Sequence, residues 1–437
     1  MRSKPNSSVP MPGASGTVIA PGSTIGILGG GQLGRMMIQD GSRLGYRFAT
    51  LDPTPDSPAA QLANHEIVAP YSDVAAAREL AAASDVITYE FENVDAGVAK
   101  VLEEEGDVPQ GSRLLFTTQH RLREKDAIVR AGAPVANHRG VTTREDLRRA
   151  IDDIGLPCVL KTTTGGYDGK GQWLIRTTED AASAFDEWSA ANRESAGGGR
   201  TVGLVESRNA DDSGASSNSV TFPAASEGRE ASPRSQAALE APLIVEQFVP
   251  FEKELSVLVA RSRNGETSIF PVAENVHVNH ILHLSIVPAR IDSAIQERAR
   301  DFAKRIAESL GAVGILAVEM FLTASGDLYV NELAPRPHNS GHYTLDGCVT
   351  SQFEQHVRSI CGLPLGSPNL LIPVVMVNVL GQHVPGLMAK MGSLPGNIKV
   401  HLYGKAEAKA DRKMGHLNVV ADTCEEALAQ IVDLGIW

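Results

Sequence analysis

The chain has 437 residues, with 42% apolar and 21% charged residues, the make-up of an ordinary globular protein with room for two or three domains. Its net charge of -12 argues against general nucleic-acid binding, which needs a basic face, and favours small anionic ligands held at local basic sites. No stretch approaches the ~20 apolar residues of a membrane span, and Cys158, Cys348, Cys361 and Cys424 form no CxxC pair, so a reduced, cytoplasmic setting is expected.

Residues 1–23 are rich in Ser, Pro and Gly and read as a disordered tail. From Thr24 the pattern is strand, glycine turn (Gly29 to Gly34), then helix, followed by a strand from Phe48 to Asp52. This completes a dinucleotide fingerprint, a weak signal alone, so a dehydrogenase is one reading. Ile67-Val68, a helix over Ala75 to Ala82 and a strand from Asp85 continue the alternation of a Rossmann-like domain, 24–120. Glu90 or Glu92 then lies where ligands of open parallel sheets bind.

Helices are expected over His120 to Ala131 and Thr143 to Ile154, then an apolar strand, Leu156 to Lys161. Thr162 to Gln172 is glycine-rich and carries Asp168 and Lys170 before a strand, Trp173 to Arg176. Such a loop over 161–176 can wrap a phosphate chain with its backbone. After a helix from Ala181 to Ala191, residues 193–241 are low in large apolar side chains and read as an insertion. Ordered structure resumes over Pro242 to Pro250, and strands follow over Glu254 to Ala260, Ile269 to Ala273 and Ile281 to Val287, with His277 between the last two. A helix over Gln296 to Leu310 leads into a hairpin. With Ser325-Gly326 as its two-residue turn, counting back sets Glu319 opposite Glu332. Opposed like charges destabilise a sheet, and Asn331 stands beside them, so Mg²⁺ is the expected compensation. A helix from Ser351 to Cys361 closes a domain of 121–365. Strands over Leu371 to Leu380, His401 to Tyr403 and Arg412 to Val420, with a helix from Glu425 to Leu434, make a small β-rich domain, 366–437.

A strand-borne Lys161, a glycine-rich tip, Glu246, Glu254 and the Glu319, Asn331, Glu332 set occur in the order of an ATP-grasp enzyme, which the chain resembles throughout. More narrowly, Gly31-Gln-Leu-Gly-Arg-Met36, Thr164-Gly-Gly-Tyr-Asp-Gly-Lys-Gly-Gln172, Asn331-Glu-Leu-Ala-Pro-Arg336, His338-Asn-Ser-Gly-His342, Ser351-Gln-Phe353 and Gly415-His-Leu-Asn418 resemble the N5-carboxyaminoimidazole ribonucleotide synthetase family of purine biosynthesis. The resemblance implies an α/β (α+β) ATP-grasp fold and carboxylation of aminoimidazole ribonucleotide by bicarbonate and ATP, through carboxyphosphate.

Chemistry and resemblance together place Lys161 and the backbone of Gly166, Tyr167, Asp168, Gly169, Lys170, Gly171 and Gln172 on nucleotide phosphates, and Mg²⁺ on Glu319, Asn331 and Glu332, with room for two ions and Mn²⁺ as a substitute. The family pattern implies that Arg121, Glu246, Gln247, Phe248, Val249, Glu254 and His277 border ATP, along with Asn331 and Glu332. It implies Gln32, Leu33, Glu90, Arg336, His338, Asn339, Ser340, Arg412 and Lys413 for the ribonucleotide, and Asp168, Lys170, Arg336 and Lys413 for catalysis. Family members commonly carry arginine in place of Lys170, a bidentate fork where this chain has a point charge. A homodimer with no nucleic-acid or membrane partner is implied. The readings set against this one are a formate-dependent glycinamide ribonucleotide transformylase, a dinucleotide oxidoreductase and a nucleotide sensor without catalysis.

Overall fold

The computed structural model describes residues 18–165, 170–197 and 241–437. Its first sheet is parallel, in the order β3-β2-β1-β4, from β1 (Thr24–Leu28), β2 (Arg47–Asp52), β3 (His65–Val68) and β4 (Val86–Tyr89). The chain turns at Gly29 to Gly31 into the helix Gln32–Arg43, whose Leu33, Met36, Met37 and Ile38 are buried against this sheet's core. Two helices that the residue pattern did not suggest, Ala96–Glu105 and Gly111–Thr118, lead away from β4.

A second sheet, ordered β5-β8-β6-β7, comprises β5 (His138–Val141), β6 (Cys158–Thr162), β7 (Gln172–Ile175) and β8 (Leu243–Gln247). Antiparallel β6 and β7 set Lys161 opposite Gln172 at the base of the glycine-rich tip. Of that tip, Gly166, Tyr167, Asp168 and Gly169 lie outside the described residues, as do 1–17 of the expected tail and 198–240 of the expected insertion.

The third sheet has nine strands: β9 (Phe251–Arg261), β10 (Thr267–Ile269), β11 (Ala273–Val278), β12 (Ile281–Val287), β13 (Gly314–Thr323), β14 (Leu328–Ala334), β15 (Val374–Leu380), β16 (Ile398–Leu402) and β17 (Lys413–Val420). β12 pairs with β15, so the last strands of the chain extend this sheet. The strand expected over Ile269 to Ala273 is instead the gap between β10 and β11. Pro271, which has no N–H for a ladder, sits in the gap. His277 accordingly lies inside β11, at a register shift against β12.

The β13/β14 hairpin departs from expectation in two offsetting ways. Its loop has three residues, Ala324 to Gly326: Thr323 N–H donates to Asp327 O at 2.9 Å, and Gly326 adopts φ +83°. Leu322 therefore faces Leu328, one step off the two-residue count. Asn331 then bulges, shifting the ladder back between Met320↔Val330 and Glu319↔Glu332. The two glutamates do oppose each other, and the bulge leaves both Asn331 and Glu332 half-buried where strict alternation would send them to opposite faces.

Candidate active site

A cavity of about 580 Å³ lies between the second and third sheets. It is lined by Arg121, Lys161, Lys170, Gln172, Glu246, Gln247, Phe248, Val249, Glu254, His277, Glu319, Asn331, Glu332, His338, Asn339 and Lys413, all singled out from sequence. Lys125, one turn beyond Arg121 on the helix Arg121–Arg130, lines it too and was not singled out. Its signal was the i, i+4 spacing, which puts both cations on one face.

At one wall, Glu246 Oε2 takes Lys161 Nζ at 3.0 Å and Lys125 Nζ at 3.3 Å, with Lys125 1% and Glu246 5% exposed in their side chains. Burial alone would raise the Glu246 carboxyl, but Lys125, Lys161 and Arg121 hold it far below the ordinary range. Burial pulls the Lys161 ammonium below its ordinary value, against the attraction of Glu246. Glu246 Oε1 is buried and without a hydrogen-bond partner among the described residues, leaving one acceptor for a ligand's donor.

Across the cavity, Glu319 is raised by burial and then by the opposing Glu332. Arg121 Nη1 meets Glu332 Oε2 at 3.2 Å, and Lys125 Nζ donates to Asn331 O at 3.1 Å. Asn331 Oδ1 is a second buried oxygen with no partner among the described residues. Two facing carboxylates and an unspent amide oxygen suit a hard divalent cation. Among the described residues no group of three or more His, Cys, Asp or Glu could hold a metal, so the Asn331 amide oxygen would have to complete the set. His338 Nε2 lies 3.3 Å from Glu319 Oε1, and burial, then Arg336 and Lys413, push this imidazole down to about 3, so it is neutral. His277 Nδ1 and Glu254 Oε2 are 2.6 Å apart. That contact raises the imidazole although burial opposes it.

The remaining residues gather elsewhere. Gly31 N–H and, at 3.1 Å, Leu33 N–H donate to Glu90, and Gly30 N–H donates to Asp52 Oδ2 at 2.7 Å. The helix Gln32–Arg43 has no side-chain cap of its own, so Glu90 satisfies its orphan donors. A Cβ on Gly31 would fall 2.2 Å from Glu90 Oε1. The donors on which a dinucleotide pyrophosphate would rest are thus taken by carboxylates, which argues against the oxidoreductase reading. Burial raises Glu90 to about 7. Arg336 pairs side-on with Glu92 through the Nε and Nη2 edge of its guanidinium, Nη2 lying 3.0 Å from Oε1. Ser340 turns towards β9, its hydroxyl 2.8 Å from Ser256 Oγ, while Asn339 and Asn378 exchange two hydrogen bonds between their side-chain amides. Arg412 is exposed, with Nη1 on Glu407 O at 3.0 Å. Gln32, Leu33, Glu90, Arg336, Ser340, Arg412 and Gly171 do not line the cavity. Lys405, also not singled out, donates to Lys413 O at 2.8 Å. Burial lowers it to about 8, Arg412 and Lys413 adding to the effect and Glu90 opposing it.

Family models match in three blocks: a ribonucleotide synthetase preATP-grasp domain over 23–119, an ATP-grasp domain over 126–207 and 224–353, and a phosphoribosylaminoimidazole carboxylase C-terminal domain over 374–430. The N5-carboxyaminoimidazole ribonucleotide synthase of Bacillus subtilis is 45% identical over 419 residues, 95% of this chain and 96% of the relative. That of Brucella melitensis is 41% identical over 92% of this chain and 97% of its own length. Among solved structures, an ADP complex of an N5-carboxyaminoimidazole ribonucleotide synthetase superposes with TM-score 0.81 at 50% identity, covering 97% of this chain and 98% of that one. The Aspergillus clavatus synthase bound to ADP and 5-aminoimidazole ribonucleotide gives 0.77 at 29% identity, over 94% and 97%. With its three domain models in order and its relatives aligned end to end, the chain belongs to the N5-carboxyaminoimidazole ribonucleotide synthase family of ATP-grasp ligases.

Proposed function

We propose that the chain carboxylates 5-aminoimidazole ribonucleotide with bicarbonate and ATP in purine biosynthesis, and that the cavity between the second and third sheets is where ATP is spent. The observation that carries this is that two cationic side chains, Lys125 and Lys161, line one cavity together with Glu319, Asn331 and Glu332. A bicarbonate oxygen attacks the γ-phosphorus, ADP leaves, and carboxyphosphate forms. The ribonucleotide's amine nitrogen then bonds to the carboxyl carbon, the carbon–oxygen bond to phosphate breaks, and the amine releases a proton, giving the N5-carbamate, ADP and phosphate.

In this reading Lys161, Lys125, Arg121 and the 166–172 backbone neutralise and cover the phosphates. Glu246 orients the two lysines, and its unpartnered Oε1 accepts from the base edge beside Gln247, Phe248 and Val249. Glu254 and His277 serve the ribose side. Glu319, Glu332 and the Asn331 amide would hold Mg²⁺ or Mn²⁺, which would supply neutralisation of the phosphate charge. Asp168, Lys170, Arg336 and Lys413 serve the carboxyphosphate region. Gln32, Leu33, Glu90, His338, Asn339, Ser340, Lys405 and Arg412 surround the ribonucleotide. The divisions 24–120, 121–365 and 366–437 then correspond to ribonucleotide, nucleotide and closing domains. We further assign a homodimer in the cytoplasm, which light scattering of the purified protein tests. Among the described residues no helix is long and apolar enough to cross a membrane.

The deciding assay is ADP release with bicarbonate, with and without the ribonucleotide. Dependence on both supports the assignment, and dependence on formate in place of bicarbonate refutes it.

A further inference from the structure

We propose that Gln110, through Thr88 and His356, is a positioning residue that keeps the ribonucleotide side of the site in register with the nucleotide side, so that ATP cleavage stays coupled to carboxylation. The proposal rests on the carboxylation reading above. It arises from a buried polar chain that none of the roles assigned so far uses. Ile315 N–H, on β13, reaches His356 Nδ1 at 3.1 Å; His356 Nε2 lies 2.8 Å from Thr88 Oγ1; Thr88 Oγ1 donates to Gln110 Oε1 at 2.6 Å; and Gln110 Nε2 donates to Pro335 O at 2.8 Å. Thr88 and His356 are 0% exposed and Gln110 5%.

The direction of every bond follows from its ends. A backbone N–H can only donate, so His356 Nδ1 accepts. Burial pushes this imidazole down to about 3, so the neutral ring carries its proton on Nε2 and donates to Thr88. The threonine hydroxyl then has its proton for Gln110 Oε1, which also receives Tyr89 N–H at 3.4 Å. With its oxygen so committed, the amide must turn its nitrogen to the Pro335 carbonyl. Such a chain has one polarity and one geometry, and a missing member strands buried neighbours. Room for it is built into the backbone as well: Gly314 adopts φ +94°, and a Cβ there would sit 2.7 Å from His356 Cε1.

What the chain joins is the argument for function. One end is on β13, the strand of Glu319, and the other is the carbonyl just before Arg336. Its middle is Thr88 on β4, the edge strand that runs on into Glu90 and Glu92. The Arg336–Glu92 pair ties the same two bodies a second time, at the rim. A bundle of hydrogen bonds serving stability alone could join any two surfaces of these domains. This one joins the peptides that carry the metal-side and ribonucleotide-side groups.

The test uses the full-length enzyme with ATP, bicarbonate and 5-aminoimidazole ribonucleotide. Thr88→Val and Gln110→Met break the chain at nearly constant volume, and Thr88→Ser preserves it. Expected for both breaking variants are a loss of about ten- to a hundredfold in kcat/KM for the ribonucleotide, an unchanged KM for ATP, and less carbamate formed per ADP released. Thr88→Ser should match the parent. Equal losses towards both substrates, or a parental carbamate-to-ADP ratio in variants shown to be folded by thermal melting, overturn the proposal. If one variant fails to fold, the other decides. Collapse of both, with Thr88→Ser intact, assigns the chain to stability only and also overturns it. A parent enzyme without ribonucleotide-dependent ADP release would instead overturn the carboxylation reading, a result seen before any variant is compared.

Discussion

Glu319 and Glu332 face each other across β13 and β14 only because Asn331 bulges, which restores a register that the three-residue loop had displaced by one. The same bulge brings the Asn331 amide to the carboxylates' side. An arrangement that opposes two charges and leaves an oxygen unpaired is costly without a ligand, and the proposed cation would relieve it. We therefore expect Glu332→Ala to lose about a hundredfold or more in ATP turnover while the fold remains cooperative. Its stability in chelator should stay within about 1 kcal/mol of the parent, because relief of the like charge on Glu319 offsets the lost Arg121 contact. Full ADP release by this variant would refute the metal assignment.

Lys125 shares Glu246 with Lys161 in the driest part of the cavity. Removing one cation leaves a buried carboxylate half-compensated, and breaking such a pair costs about 3–5 kcal/mol. Lys125→Met should show a loss of this order in urea denaturation at neutral pH, with a raised KM for ATP. The loss should shrink in acid. Glu246 is depressed in the fold, so its contribution is present above the unfolded carboxylate value, near 4.5, and fades as pH falls below it. An equally unstable variant at pH 3 and pH 7 would contradict the triad.

The legible parts of the molecule were those that local pattern controls. Period and glycine turns located β1, β6, β9 and β12 and the helices at 121–130 and 352–361 within a few residues. Pairing chemistry then singled out Glu319 and Glu332. What escaped depends on contacts distant in sequence. The bulge at Asn331 has no local signature, and it restores the register of a two-residue turn that the three-residue loop displaces by one. Lys405 meets Arg412 and Lys413 only when its loop folds back. The helix Ala96–Glu105 shows few large apolar residues in sequence, and its Val98, Ala99 and Leu102 find their partners only in the core packed on the parallel sheet. Gln110, just after it, has no motif at all and acquires its partners from β4 and Pro335.

Gly31 approaches Glu90 too closely for any side chain, a Cβ falling 2.2 Å from Oε1. Gly31→Ala must push the carboxyl off the helix terminus, exposing donors that Glu90 now satisfies. The ribonucleotide KM should rise by about tenfold or more with little change in KM for ATP, because this turn lies outside the nucleotide cavity. A matched rise in both constants would place the turn in the nucleotide site instead.

Glu90 itself supplies a pH test. Burial raises its carboxyl to about 7 from 4.5, against the pull of the Gly31 and Leu33 N–H groups. A carboxyl with a raised folded value binds its proton more tightly in the native state. Its contribution is therefore complete below about pH 4.5 and is lost as pH climbs through about 7. The parent's stability should accordingly fall by a few kcal/mol between about pH 5 and 8 from this group alone. Glu90→Gln, which cannot ionise, should lose that slope. It should be less stable than the parent at pH 5 by about 1 kcal/mol, since an amide offers one oxygen where two N–H groups need acceptors. At pH 8 the difference should narrow or invert. Denaturant midpoints across this range settle it, and parallel pH profiles for the two proteins would mean that Glu90 is ionised throughout and that its partners, not its burial, govern it.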